Sequence, residues 1–305
     1  MSWSAVVLVL ISAGMHAGWN LFGKRQRTTA GFFLIACLPG VLYQAVVALF
    51  LWPELRSVPA RVHVLNAATG FFQALYFVGL AGAYRHGEMS RAYPLARATP
   101  VVFVFLVSLA IGNSQGLGPL LAAGMALLVP GCFLLPMRRF SELRLRDYAH
   151  PWCLFALLAA LGTTGYSILD DQALRLLRET GPGNPGLSPQ TAAAVFLGLE
   201  FTATAAWLGV FVAAASLFSK GFAARTFDVP RGKAALTGVF IMATYLLVLI
   251  AMAFAENISY IVAFRQVSIP LGALLGILVL KEPHSAPKIV GVALAFAGLV
   301  LVKLA

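Results

Sequence analysis

Apolar stretches of about 20 residues, separated by short polar breaks, run along the whole chain. A helix that crosses a bilayer needs about 20 mostly apolar residues, so each stretch predicts one spanning helix. The pattern predicts ten helices, at residues 3–22, 30–52, 62–84, 90–111, 117–136, 151–170, 191–218, 235–255, 257–280 and 286–304. The charged segment MRRFSELRLRDYAH lies between the fifth and the sixth, so the helices divide five and five.

The composition supports this interpretation. Apolar residues make up 60% of the 305, charged residues 11%, and the mean hydropathy is +0.86. Soluble domains are usually about half apolar and about a quarter charged. We therefore expect an all-α integral membrane protein, in a bacterial inner (plasma) membrane, with lipids around it. The net charge of +11 does not indicate nucleic acid, because basic residues of membrane proteins gather in loops.

These basic residues are unevenly divided between the two sets of loops. Fifteen follow odd-numbered helices: Lys24, Arg25, Arg27, Arg85, Arg91, Arg138, Arg139, Arg144, Arg146, Lys220, Arg225, Arg231, Lys233, Lys281 and Lys288. Five lie on the other side: Arg56, Arg61, Arg175, Arg178 and Lys303. Because Lys and Arg accumulate on the cytoplasmic side, both termini are predicted to lie outside the cytoplasm.

The two halves of the chain resemble each other. A shift of 168 residues lays EMSRAYPLAR (88–97) on ENISYIVAFR (256–265), so that a Glu and an Arg coincide. A shift of 147 lays HAGWN (16–20) on TTGYS (163–167). We expect a first repeat at 1–140, a cytoplasmic linker at 141–150 and a second repeat at 151–305. Five helices is an odd number, so the second repeat is expected to be inverted, with a shared site near the midplane.

Three segments resemble the EamA repeat of the drug/metabolite transporter (DMT) superfamily. They are HAGWNLFGK (16–24), GEMSRAYPLARATP (87–100) and FRQVSIPLGALLGILVLKEP (264–283). The resemblance covers about 3–136 and 151–304, with one departure: the acidic Glu282 of the second repeat is replaced by Asn113 and Ser114 in the first. It implies secondary transport of a small polar or anionic metabolite, amino-acid-like or another organic solute, with export the commoner direction.

Three charges lie well inside the apolar segments: Arg97, Glu200 and Arg265. An Arg at the centre of a spanning helix costs roughly 2.5–3.5 kcal/mol to insert, so each should face a polar cavity or a partner. Two arginines and one acid leave positive charge to spare, which an anionic substrate would neutralise. Arg97 and Arg265 are therefore candidate substrate-binding residues, and Glu200 is a candidate for proton coupling.

A structural role remains open for the same charges. Each Arg could form an ion pair, with Glu88 or Glu256, that holds the repeats together. It could also bind carbonyl groups freed by Pro94, Pro100 and Pro270. Glu200 could equally pair with an Arg or face a wet crevice. Asp170 and Asp171, at the predicted end of the sixth helix, are expected to be solvated.

The first helix carries a polar stripe, Ser12, His16 and Asn20, at a spacing of four residues. We interpret His16 and Asn20 as cavity residues, and Ser12, with Thr163 and Ser167 in the repeat mate, as interhelical hydrogen-bonding groups. The remaining candidate substrate-binding residues are wall residues: Trp19, Gln73, Tyr76, Tyr166 and Tyr245.

Other functional classes lack their motifs. The sequence contains no HExxH motif, acidic metal cluster or Walker loop, and the expectation is a non-enzyme without cofactor or metal. Transport or flipping of an amphiphilic or lipid-linked substrate is the alternative function. The widely spaced Cys37, Cys132 and Cys153 are predicted to be buried free thiols.

Small residues in the fifth and tenth helices favour close helix packing, either with each other or with a second subunit, so a monomer or a homodimer is expected. They are Gly118, Gly124, Gly131, Gly291, Ala293, Ala297 and Gly298.

Overall fold

The computed structural model is helical throughout its regular structure. It describes residues 2–23, 28–86, 89–112, 118–135, 137–142, 151–179, 186–271 and 285–305, with main chain only for 17–23 and 89–94. No strand occurs within these ranges. The prediction of an all-α chain is therefore confirmed for the residues described.

Twelve α-helices have bounds within the described residues. They are α1 (Trp3–Gly23), α2 (Ala30–Phe50), α3 (Trp52–Arg56), α4 (Ala60–His86), α5 (Met89–Ala110), α6 (Pro119–Leu134), α7 (Pro151–Arg178), α8 (Pro189–Phe218), α9 (Phe222–Phe227), α10 (Arg231–Met252), α11 (Ile258–Phe264) and α12 (Ala286–Leu304). Short 3₁₀ turns follow at Phe140–Glu142 and at Arg265–Val267.

Six helices in the described ranges, α2, α4, α7, α8, α10 and α12, are long and apolar enough to cross a membrane. Four shorter apolar segments accompany them, at Trp3–His16, Leu95–Ala110, Pro119–Leu134 and Ile258–Leu271. These lengths and compositions are those of an integral membrane protein.

The predicted segments overlap the observed helices, with differences at their ends. Helix α7 continues to Arg178 rather than stopping at 170, because DDQALRLLR consists largely of good helix formers although it is polar. The short helices α3 and α9 were not predicted from the sequence. Helix α3 begins at a proline-containing first turn, and α9 follows Gly221, whose φ of 74° suits glycine.

Side-chain caps explain several helix starts. Thr29 Oγ1 accepts a hydrogen bond from Phe32 N at 3.0 Å, and Ser188 Oγ accepts one from Thr191 N at 3.1 Å. Asn257 caps α11 by accepting from Ser259 N at 2.9 Å. Each cap satisfies a main-chain N–H that has no partner within its helix.

The two halves of the chain pack into one bundle. Helix α4 lies along α7, α2 contacts both α8 and α10, and α1 contacts α10. Helix α6 lies along α12, where a Cβ atom on Gly131 would come within 2.6 Å of Ala295 N and one on Gly298 within 2.6 Å of Gly124 O. Four of the small residues, Gly124, Gly131, Gly291 and Gly298, therefore serve packing within the chain, whereas Ala293 and Ala297 are exposed.

Contacts also show which loops share an end of the bundle. Lys303 Nζ lies 4.7 Å from the centre of the Trp3 ring, and Ser2 N donates to Phe254 O at 3.2 Å, so both termini lie at one end. At the other end, Thr29 Oγ1 donates to Thr226 O at 2.6 Å and Ser285 Oγ to Met137 O at 2.7 Å.

The three cysteines are all buried and unbridged, as predicted: Cys37, Cys132 and Cys153. They contribute apolar volume to the core.

Candidate functional site

A polar cavity lies inside the bundle, between α1, α5, α10 and the segment that follows α11. Its lining residues are Ser12, Ala13, His16, Arg97, Thr244, Tyr245, Val248, Arg265 and Ser268. The cavity volume is about 20 Å³, room for about one water molecule. That is far below the usual range for small-molecule pockets, so a metabolite would require the helices to move apart.

Arg97 reaches this cavity from α5 and is 5% exposed. Helix α5 carries Pro94 and Pro100 on either side of it. A proline within a helix leaves the carbonyl four residues earlier without its usual donor, so the main chain near Arg97 is more polar than in a regular helix. The guanidinium acts electrostatically on His16 and on Cys132.

Arg265 enters from the opposite half of the chain, at the 3₁₀ turn that follows α11. Pro270 cannot donate to the carbonyl of Gln266, which accounts for the tighter turn here. Ser268 Oγ donates to Arg265 O at 3.0 Å and satisfies part of this turn. The half-buried guanidinium lies 5.3 Å from the centre of the Tyr245 ring, a cation–π arrangement.

One residue of the polar stripe on α1 makes the interhelical hydrogen bond that was predicted from the sequence. Ser12 Oγ donates to Thr244 O at 2.8 Å, which confirms its interhelical hydrogen bond. His16 lines the cavity, within electrostatic range of both arginines. The side chains of Trp19 and Asn20 lie outside the described residues, so their assignment stays a prediction.

The interhelical bonds expected for Thr163 and Ser167 on α7 are not found. Both hydroxyls are buried, and neither has a hydrogen-bond partner among the described residues.

The predicted wall residues form a row that leads away from the cavity. Tyr245 lines the cavity, and its ring meets that of Tyr166 edge to face at 5.9 Å. Tyr166 in turn meets Tyr76 at 6.0 Å. Gln73, one turn earlier on α4, is buried and lines no part of the cavity. Among the members of this set whose side chains the structure describes, only Tyr245 therefore borders the open space directly.

The prediction that Asp170 and Asp171 are solvated is wrong. Asp170 is 0% exposed and Asp171 is 4% exposed, because α7 continues past them and packs against α4 and α10. Thr69 Oγ1 donates to Asp170 Oδ1 at 2.9 Å, and the Tyr245 hydroxyl donates to Oδ2. Asp171 Oδ2 instead accepts a hydrogen bond from Arg175 Nε at 3.0 Å.

Glu200 on α8 is also fully buried. Among the described residues, neither of its carboxylate oxygens has a hydrogen-bond partner. Asp170 and Arg265 are close enough to act on it electrostatically. Because Glu200 is fully buried, the predicted alternative in which it faces a wet crevice is not observed.

Of the two candidate ion-pair acids, Glu88 lies outside the described residues. Glu256 is exposed, and its main-chain oxygen accepts a hydrogen bond from Arg175 Nη2 at 3.0 Å. Asp170 and Glu200 both experience the charge of Arg265, so this Arg has acidic neighbours that the sequence analysis did not identify.

The cavity is chemically suited to an anion. Two guanidinium groups, an imidazole and the hydroxyl of Ser268 border the same space. Guanidinium groups donate two parallel hydrogen bonds to carboxylate or phosphate. Within the described ranges, no group of three or more His, Cys, Asp and Glu residues is placed to hold a metal ion.

No protein-family model matches the chain, and no curated protein matches it. Among solved structures, 28 chains match. One, described only as a crystal structure of a protein, is 17% identical in sequence, covers 100% of this chain and 98% of its own, and has a TM-score of 0.69. At this identity the similarity shows the fold alone.

Proposed function

We propose that this protein is a secondary transporter of a small polar or anionic metabolite, amino-acid-like or another organic solute, and that it works by alternating access, with export as its direction. The observation that carries the proposal is that Arg97 and Arg265, from opposite halves of the chain, border one internal cavity with His16. Charge inside membrane segments is costly and is usually retained for a pathway or a binding site.

The proposal includes an EamA-like fold of ten spanning helices in two inverted repeats. In that case α1, α2, α4, α5 and α6 correspond to α7, α8, α10, α11 and α12 in turn. Observed contacts fit this correspondence: α4 with α7 corresponds to α10 with α1, and α4 with α8 corresponds to α10 with α2. The contacts α2 with α8 and α6 with α12 each correspond to themselves. Such symmetry supports a shared site at the repeat interface.

Transport itself can be measured directly. We expect the purified chain in proteoliposomes to accumulate or release at least one solute from a labelled panel of amino acids and organic anions. Empty liposomes and liposomes with the Arg97→Ala/Arg265→Ala variant are the controls. A folded wild-type chain that moves no solute would contradict the proposal. Translocation of labelled lipids without solute flux would favour the amphiphilic alternative.

The proposed orientation places both termini outside the cytoplasm. It is supported by the uneven division of basic residues and by the proximity of Trp3 to Lys303. A fluorescent reporter that matures only in the cytoplasm should stay dark when fused to Ala305. The same reporter fused within 141–150 should fluoresce. The reverse pattern would invert the orientation without affecting the fold.

A further inference from the structure

Two buried carboxyl groups lie behind the cavity and have no role in the binding of an anion. Asp170 and Glu200 are both 0% exposed. Asp170 accepts hydrogen bonds from Thr69 and Tyr245, whereas Glu200 accepts none within the described chain. A carboxylate buried without a partner is strongly disfavoured, so the charge of Glu200 requires another means of compensation.

The two carboxyl groups pack against the same part of α4. Asn66 Nδ2 donates to Leu199 O at 3.2 Å, which fixes the position of the neighbouring Glu200. Thr69, about one turn further along α4, holds Asp170. Buried oxygens without a hydrogen-bond partner in the described residues surround this level: Asn66 Oδ1, Gln73 Oε1, Ser167 Oγ and Thr204 Oγ1. All four oxygens can accept a hydrogen bond from a protonated carboxyl group, and the two hydroxyls can also donate one.

Few other titratable or charged groups face the pair. Tyr245 from α10 contacts Asp170, and Tyr166 meets the Tyr245 ring. Cys37 from α2 lies near Glu200, and Asp171 adjoins Asp170 on α7. From the cavity side, Arg265 acts on both acids. The Arg265 guanidinium lies over the Tyr245 ring, and the Tyr245 hydroxyl donates to Asp170. Tyr245 therefore lies between the cavity and Asp170 and contacts both.

We propose that Asp170 and Glu200 form a proton-binding pair, and that an anion entering the cavity drives uptake of a proton by the pair. This inference rests on the proposed anion-binding function of the cavity. Two ionised carboxylates close together repel strongly in a medium of low dielectric constant. With the cavity empty, Arg265 compensates one ionised carboxylate and the other acid holds a proton.

An arriving anion changes this balance. Once Arg265 pairs with the anion, the remaining carboxylate loses its compensating charge, and it takes a proton from solvent. The only bond formed is the O–H bond of the second carboxylic acid, and no electron is transferred. One anion and one proton therefore bind together, so the sign of the coupling is cooperative rather than competitive.

The pair can be tested without knowing the substrate. Infrared difference spectroscopy of the purified chain, titrated with acid, should reveal the carbonyl band of a protonated buried carboxylic acid. Glu200→Gln and Asp170→Asn should each remove part of this band, and Asp170→Glu should retain it if Asp170→Asn fails to fold. Asp171→Asn, which alters the adjacent acid paired with Arg175, is the matched control and should leave the band in place.

Neutralising Arg265 should imitate an anion bound in the cavity. An opposite charge within about 4–6 Å typically changes a carboxyl group's titration by about 1–3 pH units, so Arg265→Gln should make the band persist to higher pH by about that amount. Arg175→Gln should have no such effect.

A wild-type spectrum without a band that depends on Asp170 or Glu200 would overturn the pair, and an unchanged titration in Arg265→Gln would overturn the linkage. Replacement of choline by sodium should not matter; sodium-dependent loss of the band would identify a cation site instead. None of these results depends on transport, so a failed transport assay would refute the proposed function separately.

Discussion

Arg97→Lys and Arg265→Lys are each expected to reduce transport by about 10- to 100-fold, while the melting temperature changes little. Lysine keeps the positive charge but loses the planar fork that donates two parallel hydrogen bonds. A hydrogen bond to a charged group contributes about 1.5–3 kcal/mol, and each 1.4 kcal/mol corresponds to about a tenfold change. Alanine at either position should abolish measurable uptake. Initial rates in proteoliposomes, with melting temperatures of the same preparations, give both quantities.

The matched control is Arg175→Lys. Arg175 is 42% exposed and pairs with Asp171 outside the cavity, so its replacement should leave transport unchanged. Arg97 or Arg265 could instead form an ion pair that holds the bundle together. In that case Arg→Ala should leave a buried acid without its partner and destabilise the fold by about 3–5 kcal/mol. Recovery of both melting temperature and transport, on adding Glu88→Gln to Arg97→Ala or Asp170→Asn or Glu200→Gln to Arg265→Ala, would contradict the substrate-binding role.

Charge inside an apolar segment was the most informative sequence signal for the site. Arg97 and Arg265 were identified because each interrupts a stretch that otherwise reads as membrane-spanning, and the structure brings both to one cavity with His16. Tyr245, chosen only as a polar aromatic residue on a spanning helix, also lies there. Residue type and depth were sufficient in these cases.

Asp170 could not be recognised in the same way. It stands where the apolar stretch of α7 ends, and an acid at such a position is normally solvated. Its burial depends on the packing of α4 and α10 around a helix that is longer than its apolar part. Thr244, Val248 and Ser268 gave no sequence signal either, since such residues recur throughout spanning helices. Tertiary packing alone selects them.

Helix existence was more predictable than helix ends. Apolar runs located α2, α8 and α12 closely, because bilayer thickness sets their length. The segment after α11 was predicted as one continuous helix, but it tightens into a 3₁₀ turn at Arg265. Hydropathy is insensitive to such a change, whereas the missing donor of Pro270 produces it. That turn is also what presents Arg265 to the cavity.

Glycine positions between α6 and α12 should be the least tolerant of added volume. A Cβ atom on Gly131 would approach Ala295 N to 2.6 Å and Gly291 O to 2.9 Å, and both are main-chain atoms that cannot rotate away. Gly131→Ala must therefore push the two helices apart. Overpacking of this kind costs typically about 1–3 kcal/mol, and Gly131→Leu should cost more. A lower melting temperature in detergent, graded from Ala to Leu, is the expected result.

The same change on an open helix face should have the opposite sign. Gly209, in the interior of α8, has nothing within 4 Å of the position its Cβ would occupy. Gly209→Ala should be neutral or stabilising by up to about 1 kcal/mol, because alanine loses less conformational freedom in a helix.

If Gly131→Ala instead left the melting temperature unchanged but converted a dimer to a monomer, the glycines of α6 and α12 would serve contact with a second subunit. Since Gly124 and Gly298 repeat the close approach one to two turns away, the internal role predicts that Gly124→Ala destabilises as well, and that neither variant alters the oligomeric state.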